Sequence, residues 1–191
     1  MFRLLKLFAA ILCLALLSPA PASAQRQPGG VRVVDPDLMA ADYFTAKLSP
    51  KMRSWLALVE LGHAGEATWK FYRTGQYKSV LADCKYTLER FANHPGALFL
   101  MGKIATVLKE PSLPIPYFEE ALRRYPQYAY THAQYGHYLV ELGATAAGIA
   151  ELREALRLDP NQLLARTWLD KAMAARTEQG QHARGDSTTV K

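Results

Sequence analysis

The chain has 191 residues, a hydrophobic fraction of 50%, a formal net charge of +6 and only two cysteines. These values exclude a disulfide-rich scaffold, a collagen-like polymer and a largely disordered chain. The excess of 23 basic over 17 acidic residues is too small to indicate a dedicated nucleic-acid-binding protein, so no nucleic-acid partner is expected.

Residues 1–24 have the organisation of a secretory signal peptide. Arg3 and Lys6 precede an uncharged apolar run over residues 7–17, and small residues lead up to Ala24. The apolar run is well short of the roughly 20 residues that span a bilayer, so cleavage after Ala24 is favoured and an uncleaved anchor is the alternative. The sequence therefore predicts a periplasmic or secreted protein with no stable membrane span after cleavage.

The segment that follows the leader changes from a flexible stretch to a helical one. Residues 25–34 are predicted to be flexible. Residues 35–60 are predicted to form an N-terminal helical cap, because Met52, Trp55 and Val59 share one face of a helix. That apolar face is expected to pack on the element that comes next.

From residue 61 onward the chain repeats itself at an offset of 34 residues. The aligned pairs are Gly102 with Gly136, Phe118 with Leu152, Ala121 with Ala155, Leu122 with Leu156, and Pro126 with Pro160. Repeats of this length are typical of stacked supersecondary units, so residues 61–162 are divided into units 61–94, 95–128 and 129–162. Cys84 falls at the place of Phe118 one unit earlier; it is interpreted as a small core residue, with a reactive thiol as the alternative.

Each unit is predicted to contain two helices joined by a turn. In the third unit the helices cover residues 130–142 and 146–158, and Gly143 separates them. Small residues such as Gly136 and Ala155 let the two helices approach closely. The sequence predicts a fold built only from helices.

Three prolines crowd the turn of the second unit. Because Pro111, Pro114 and Pro116 are tolerated only in the first turn of a helix, the second helix of this unit is expected to be short and to begin near Leu113. Residues 111–116 are interpreted as a stiff connector, with a proline-rich contact loop as the alternative.

After the third unit the repeat begins again without completing. Residues 163–176 are predicted to form a capping helix, since Leu164, Trp168 and Met173 make an apolar stripe opposite polar residues. Residues 177–191 are predicted to be a disordered tail.

The 34-residue pattern resembles the tetratricopeptide repeat (TPR), here of an exported bacterial type. The matching places in the third unit are His132, Tyr135, Gly136, Leu139, Gly148, Leu152, Ala155 and Pro160. Those in the second are Leu98, Met101, Gly102, Ala105, Pro114, Phe118, Ala121 and Pro126. The first unit matches less well, with Thr68 and Thr87 at places for small residues. The resemblance implies a short right-handed α-solenoid of helix-turn-helix repeats with helical caps.

The resemblance also implies a concave groove lined by the first helix of each unit. The groove places are occupied by Trp69, Tyr72, Arg73, Phe99, Lys103, Thr106, Val107, Tyr130, His137, Val140 and Glu141. Aromatic residues mixed with a few charges suit a peptide or a helix of a partner protein. The alternative is that Trp69 and Phe99 only pack on neighbouring helices.

Some proteins with these repeats hold a partner's C-terminal carboxylates with paired basic and amide residues. Trp69, Leu100, Tyr130 and Gln134 occupy most of those places in this chain, so binding of chaperone tails is not supported. Among the groove residues, His137 is the one that titrates near neutral pH.

No catalytic or metal-binding constellation is visible in the sequence. His132 and His137 project about 140° apart on a helix, so the two cannot hold one metal ion. No phosphate-binding loop or nucleophile motif occurs. We therefore predict no enzyme, no cofactor and no metal, but a periplasmic adaptor that holds a segment of a protein partner during assembly or maturation of an envelope complex. The alternative is a permanent structural subunit that docks through its caps and residues 111–116.

Overall fold

The computed structural model describes residues 39–186, with side chains described as far as Glu178. The predicted signal peptide and the predicted flexible residues 25–34 lie outside the described residues. Within the described part the chain is helical and has no β-strand beyond one isolated bridge between Ala41 and Phe91. The helices are α1 (Tyr43–Ala46), α2 (Pro50–His63), α3 (Glu66–Arg73), α4 (Tyr77–Arg90), α5 (Pro95–Leu108), α6 (Ile115–Arg124), α7 (Ala129–Glu141), α8 (Thr145–Leu158) and α9 (Leu163–Asp186).

Three helix pairs follow one another in the described chain. They are α3 with α4, α5 with α6, and α7 with α8, and the order agrees with the predicted units. Helix α2 packs before the first pair and α9 after the last. The predicted fold class, stacked helix-turn-helix repeats with helical caps, is confirmed in this part of the chain.

Two small residues, Gly136 and Gly148, lie where α7 and α8 meet closely. A Cβ atom added at Gly136 would lie 2.8 Å from the carbonyl oxygen of Gly148, and one added at Gly148 would lie 2.6 Å from the carbonyl oxygen of Gly136. The large residues Phe118 and Leu152 are fully buried beside their own small neighbours. Close backbone contact and interdigitated side chains therefore hold α7 and α8 together, whereas a Cβ atom added at Gly102 of α5 would meet the Tyr138 ring of α7 at 3.3 Å.

The first unit departs from the pattern because its small places carry hydroxyls. Thr68 and Thr87 are buried, and both are hydrogen-bonded through Asp83. The Thr68 hydroxyl donates to Asp83 Oδ2 at 2.9 Å, and the Thr87 hydroxyl donates to the Asp83 carbonyl oxygen at 2.9 Å. Buried hydroxyls cost little once they are paired, so this unit keeps the fold with a weaker sequence signature.

Cys84 occupies the apolar place predicted for it on α4. Its side chain is buried in the core cluster of α4, α5 and α7. Burial raises the pKa of the thiol to about 12, and the nearby Asp83 carboxylate adds to the shift. The thiol is therefore neutral at physiological pH, as a packing residue rather than a nucleophile would be.

A buried polar network attaches α1 to the turn between α4 and α5. The Asn93 side chain is completely buried; its Nδ2 donates to Asp42 Oδ1, and its Oδ1 accepts from the Tyr43 backbone N–H, both at 2.8 Å. The Tyr125 hydroxyl donates to the Ala40 carbonyl oxygen at 2.7 Å. These bonds position the described part of the predicted N-terminal cap.

Two predicted boundaries differ from the structure. Helix α2 runs through residues 61–63, which were assigned to the first repeat, because the helix ends only where Gly65 packs against the Glu60 carbonyl. Helix α9 continues to Asp186, past the predicted end of the capping helix at residue 176 and into the predicted tail. No proline follows Pro160, and α9 continues through Gly180, where the sequence offers a stop signal.

The proline-rich turn has the predicted consequence for α6. This helix begins at Ile115, with Pro114 at its N-cap, and contains 10 residues. The Tyr138 hydroxyl donates to the Pro111 carbonyl oxygen at 2.7 Å and ties the turn to α7. Among residues 39–186, no helix combines the length and apolarity required to cross a bilayer.

Candidate functional site

The first helices of the three pairs place aromatic and charged side chains side by side. We use the term groove row for a set of seven residues in mutual contact across α3, α5, α7 and α9. They are Tyr72, Trp69, Phe99, Lys103, Glu141, His137 and Trp168.

The groove row begins with three aromatic rings on α3 and α5. Trp69 meets Tyr72 edge-on, with ring centroids 6.0 Å apart. It also lies 6.5 Å from the ring of Phe99 on the next repeat. Trp69 is half-buried against the core, whereas Phe99 is 44% exposed. Trp69 therefore serves packing as well as the surface, while Phe99 presents a large apolar face to solvent.

Charged groups continue the groove row from α5 to α7. The Lys103 ammonium lies 5.2 Å from the centre of the Phe99 ring and 4.0 Å from Glu141 Oε1. Glu141 Oε1 is also 3.6 Å from His137 Nε2. The Lys103 and Glu141 side chains are both exposed, so their charges remain available to a ligand.

The groove row ends where His137 stacks on Trp168 of α9. The two rings are 4.3 Å apart and inclined by 14°. Burial lowers the pKa of His137, the Lys103 and Lys171 ammonium groups lower it further, and Glu141 opposes them. His137 is therefore neutral at pH 7 and stacks as an uncharged ring.

Two depressions accompany the charged half of the groove row. The smaller one is a cavity of about 30 Å³ between α5 and α7, with Gly102, Gln134 and Tyr138 in its walls. The larger one is an open groove of about 380 Å³ between α7 and α9. Its lining residues are His137, Val140, Glu141, Trp168, Lys171, Ala172 and Ala175. The larger groove has room for side chains of a bound segment.

Six of the eleven residues predicted for the groove lie in the groove row. Within the described residues, no hydrogen bond, ion pair or ring contact joins the other five to it; they are Arg73, Thr106, Val107, Tyr130 and Val140, of which Val140 lines the open groove between α7 and α9. Arg73 pairs with Glu66 on its own helix, and the Thr106 hydroxyl donates to the Gly102 carbonyl oxygen at 3.2 Å. Tyr130 is half-buried at the start of α7. The part that all eleven predicted residues play in binding remains a prediction.

Trp168 is the groove-row residue that the sequence patterns assigned only to the capping helix. It lies one 34-residue offset after Gln134, so the repeat register itself contained the signal. The capping helix carries no repeat signature, and for that reason the register was not extended to it. Trp168 places α9 in the position of a fourth inner helix.

Two further histidines, His132 and His63, make structural contacts. His132 is buried, with Nδ1 2.7 Å from Glu151 Oε2 and Nε2 2.9 Å from the Pro126 carbonyl oxygen. His63 Nδ1 lies 2.9 Å from Asp83 Oδ1. Among residues 39–186, no group of three or more histidine, cysteine or carboxylate side chains is arranged to hold a metal ion.

Solved structures reproduce this arrangement of helix pairs. The first TPR domain of the human RPAP3 protein, determined by NMR, matches with a TM-score of 0.51. The match has 15% sequence identity and covers 66% of this chain and 95% of that domain. The chain has a TPR fold. At this identity, the likeness establishes the fold alone.

Two further TPR structures match over similar lengths. The first TPR of Spaghetti (RPAP3), bound to the HSP90 peptide SRMEEVD, has a TM-score of 0.48 at 16% identity, covering 64% of this chain and 93% of its own. The second TPR domain of human RPAP3, in complex with the HSP70 peptide SGPTIEEVD, has a TM-score of 0.47 at 14% identity, covering 62% and 98%. Neither a model of a known protein family nor a curated protein sequence matches this chain.

Proposed function

We propose that this TPR-fold protein is a non-enzymatic adaptor that binds a segment of a partner protein along the groove row. The observation that carries the proposal is the continuity of the row: aromatic and charged side chains from three repeats and α9 touch one another in sequence. Binding energy at protein interfaces is concentrated in such aromatic and charged residues.

The chemistry of the groove row indicates what kind of segment it accepts. Phe99 offers an exposed ring, and the open groove between α7 and α9 has an apolar floor containing Val140 and Ala172. Lys103 and Glu141 supply one charge of each sign at the edge. A segment with apolar anchors and mixed polar groups suits this surface better than an acidic C-terminal tail, because Leu100 and Gln134, at places of the carboxylate clamp, are buried.

The proposed location is the periplasm, and the proposed task is the assembly or maturation of an envelope or secretion complex. The support for this part is the sequence of residues 1–24, which has the organisation of a signal peptide. Detection of the processed chain, with a mass that corresponds to cleavage after Ala24, in a periplasmic extract is the measurement that tests it.

Site-specific photo-crosslinking tests the groove directly. A photoreactive residue placed at Phe99 is expected to crosslink a partner polypeptide in envelope extracts, and peptide mapping is expected to locate the crosslink in one segment of that partner. The matched control is the same probe at Leu163, which is 72% exposed but lies outside the groove row. Equal crosslinking of the same partner from both positions contradicts the proposal.

A combined variant, Trp69→Ala, Phe99→Ala and Tyr130→Ala, is expected to lose at least 90% of the captured partner in a pull-down. The physical reason is that the three aromatic side chains are removed, and large aromatic residues contribute most of the binding energy at protein interfaces. Circular dichroism must show that the variant stays folded, since Trp69 also packs on the core. A folded triple variant that still captures its partners contradicts the assignment of the groove. The single variant Phe99→Ala then tests whether the other two substitutions created new contacts that hide the loss of Phe99.

The alternative, a permanent structural subunit, has less support from the geometry. Trp55 packs in the cluster of α1 and α2, and Trp168 stacks in the groove row, so neither indole is a free docking group on a cap. The Pro111 turn is tied to α7 by Tyr138. A large assembly that persists through native fractionation of the envelope favours this alternative over the adaptor.

A further inference from the structure

Helix α2, at the N-terminal end of the described stack, is apolar on both sides. Its inner face buries Leu56 and Val59 against the following helices. Its outer face exposes Leu58 by 63% and Leu61 by 78%. The end of a repeat stack normally turns a polar face to solvent, because an exposed apolar face there invites another element to stack.

The centre of the outer face of α2 carries no charge, and the exposed Lys51 borders it beside Leu58. With 100° of rotation per residue, Pro50, Ser54, Ala57 and Leu61 lie opposite the buried side, and Leu58 lies beside them. At the other end of the stack, the exposed positions of α9 include Arg166, Asp170 and Lys171. The two ends therefore differ: the centre of the outer face of α2 carries apolar residues and one serine, Ser54, whereas the exposed side of α9 carries charged residues.

Two opposite charges border the outer face of α2 at its two ends. Arg53 and Glu60 are two helical turns apart on one flank of α2. Arg53 is exposed and makes no ion pair with the described residues. The Glu60 side chain is 39% exposed, and its Oε1 lies 3.6 Å from Nε2 of the buried His94. The flank thus carries a positive charge near the start of the helix and a negative one near its end.

We propose that the outer face of α2 binds the same face of a second copy of this chain, with the two helices antiparallel about a two-fold axis. In an antiparallel pair the same flanks meet, so Arg53 of each copy lies level with Glu60 of the other. Leu61 of each copy then lies between Pro50 and Ser54 of the other, and the small Ser54 side chain leaves room for it. The surface is complementary to itself in both charge and shape.

The small size of α2 sets the strength of this dimer. Its 14 residues give a length of about 21 Å, which is short for a complete interface. A contact of this extent falls at or below the lower end of the range for stable complexes, about 1,200 Å². The dimer is therefore weak and concentration-dependent, with a dissociation constant on the order of micromolar.

Sedimentation velocity of the full chain, expressed with its own leader, tests the dimer over a wide concentration range. The wild type is expected to shift from monomer to dimer, and Leu61→Lys is expected to raise the dissociation constant at least tenfold. Leu163→Lys is the matched control: it places the same charge on a leucine of similar exposure, 72%, at the other end of the stack. This control is expected to dimerise as the wild type does.

A charge exchange tests the antiparallel arrangement itself. Arg53→Glu and Glu60→Arg are each expected to weaken the dimer, because each places like charges opposite one another. The double variant is expected to restore the dimer, because residue 53 of each copy then again faces an opposite charge at residue 60 of the other. Because Glu60 also approaches His94, thermal melting of each variant establishes that it is folded. In a separate preparation, Ala57→Cys is expected to form a disulfide-linked dimer on oxidation, unlike Thr167→Cys.

Several outcomes overturn the proposal. The proposal is wrong if the wild type stays monomeric throughout the concentration range. It is also wrong if Leu61→Lys leaves the dissociation constant of the dimer unchanged. Binding of the monomer to lipid vesicles through Leu58 and Leu61 assigns the face to a membrane surface instead. Crosslinks between α2 and residues 25–38 of the same chain assign it to the preceding segment. None of these results bears on the groove row, so the two proposals fail independently.

Discussion

Replacement of Gly148 by alanine is expected to lower the free energy of unfolding by about 3 kcal/mol, the upper end of the usual cost of overpacking. A Cβ atom at this position would lie 2.6 Å from the Gly136 carbonyl oxygen and 2.9 Å from the Val140 backbone nitrogen. Backbone atoms cannot rotate out of the way, so α7 and α8 must separate. The gain in helix propensity, about 1 kcal/mol, offsets only part of this cost.

Urea unfolding followed by circular dichroism measures the loss, and Gly62→Ala is the matched control. Gly62 also lies in a helix, but a Cβ atom added there meets no heavy atom within 4 Å. The control is expected to raise the free energy of unfolding by roughly 0.5 to 1 kcal/mol through helix propensity alone. If Gly148→Ala stabilises the protein as Gly62→Ala does, the close contact between α7 and α8 is wrong.

Acidification is expected to remove about 3 kcal/mol of stability through His94 by pH 4. His94 is buried at the N-cap of α5, where its Nδ1 accepts a hydrogen bond from the Ala97 backbone N–H at 3.1 Å. Burial, with a smaller contribution from the nearby Lys47 ammonium, lowers the pKa of His94 to about 4. Protonation of Nδ1 also destroys the capping bond, because a protonated nitrogen cannot accept.

The sign of the pH dependence follows from the direction of the shift. The unfolded chain takes up a proton at His94 near pH 6.5, whereas the folded chain does so only near pH 4. Stability is therefore fully present above pH 6.5 and is lost as the pH falls from there toward 4. His132 acts in the opposite direction: burial lowers its pKa, but Glu151 and the Pro126 carbonyl raise it more, so its contribution is lost at higher pH.

The variant His94→Asn separates the two histidines. Asparagine keeps an acceptor at the N-cap but does not titrate. Urea unfolding at pH 7 and pH 4 is expected to show that the wild type loses about 3 kcal/mol more than the variant over this interval. Parallel losses in the two proteins contradict the role of His94, whereas the contribution of His132 cancels from the comparison.

The repeat units were predictable because each buried face recurs at a constant offset. Gly102 and Gly136, like Ala121 and Ala155, are buried at the same places of successive units, so one pattern predicts both the helices and the sides that face the core. Residues that depart from the repeat pattern were harder to interpret from the sequence. Thr68 weakens the signature of the first unit, and only the structure shows the Asp83 carboxylate that satisfies its buried hydroxyl.

The candidate site was predictable only in part. The register of the repeats placed Trp69, Phe99 and His137 on inner helices, and these side chains do lie in one row of contacts. Trp168 was missed as a member of the row because α9 has Asp170 at the place of Gly136 and does not begin a complete unit. The exposure of Leu61 also depends on what packs before α2, which periodicity within one helix does not specify.

The sequence alone determined that this chain forms stacked helix pairs and which side chains face inward, because a 34-residue offset and helical periodicity are local properties of the chain. The tertiary structure decided which inner residues touch across repeats, how far α9 extends, and which end of the stack is left apolar. Those features depend on the distances between helices that lie far apart along the chain. Spacing along the chain identifies a helix face, but only packing determines whether a neighbour covers it.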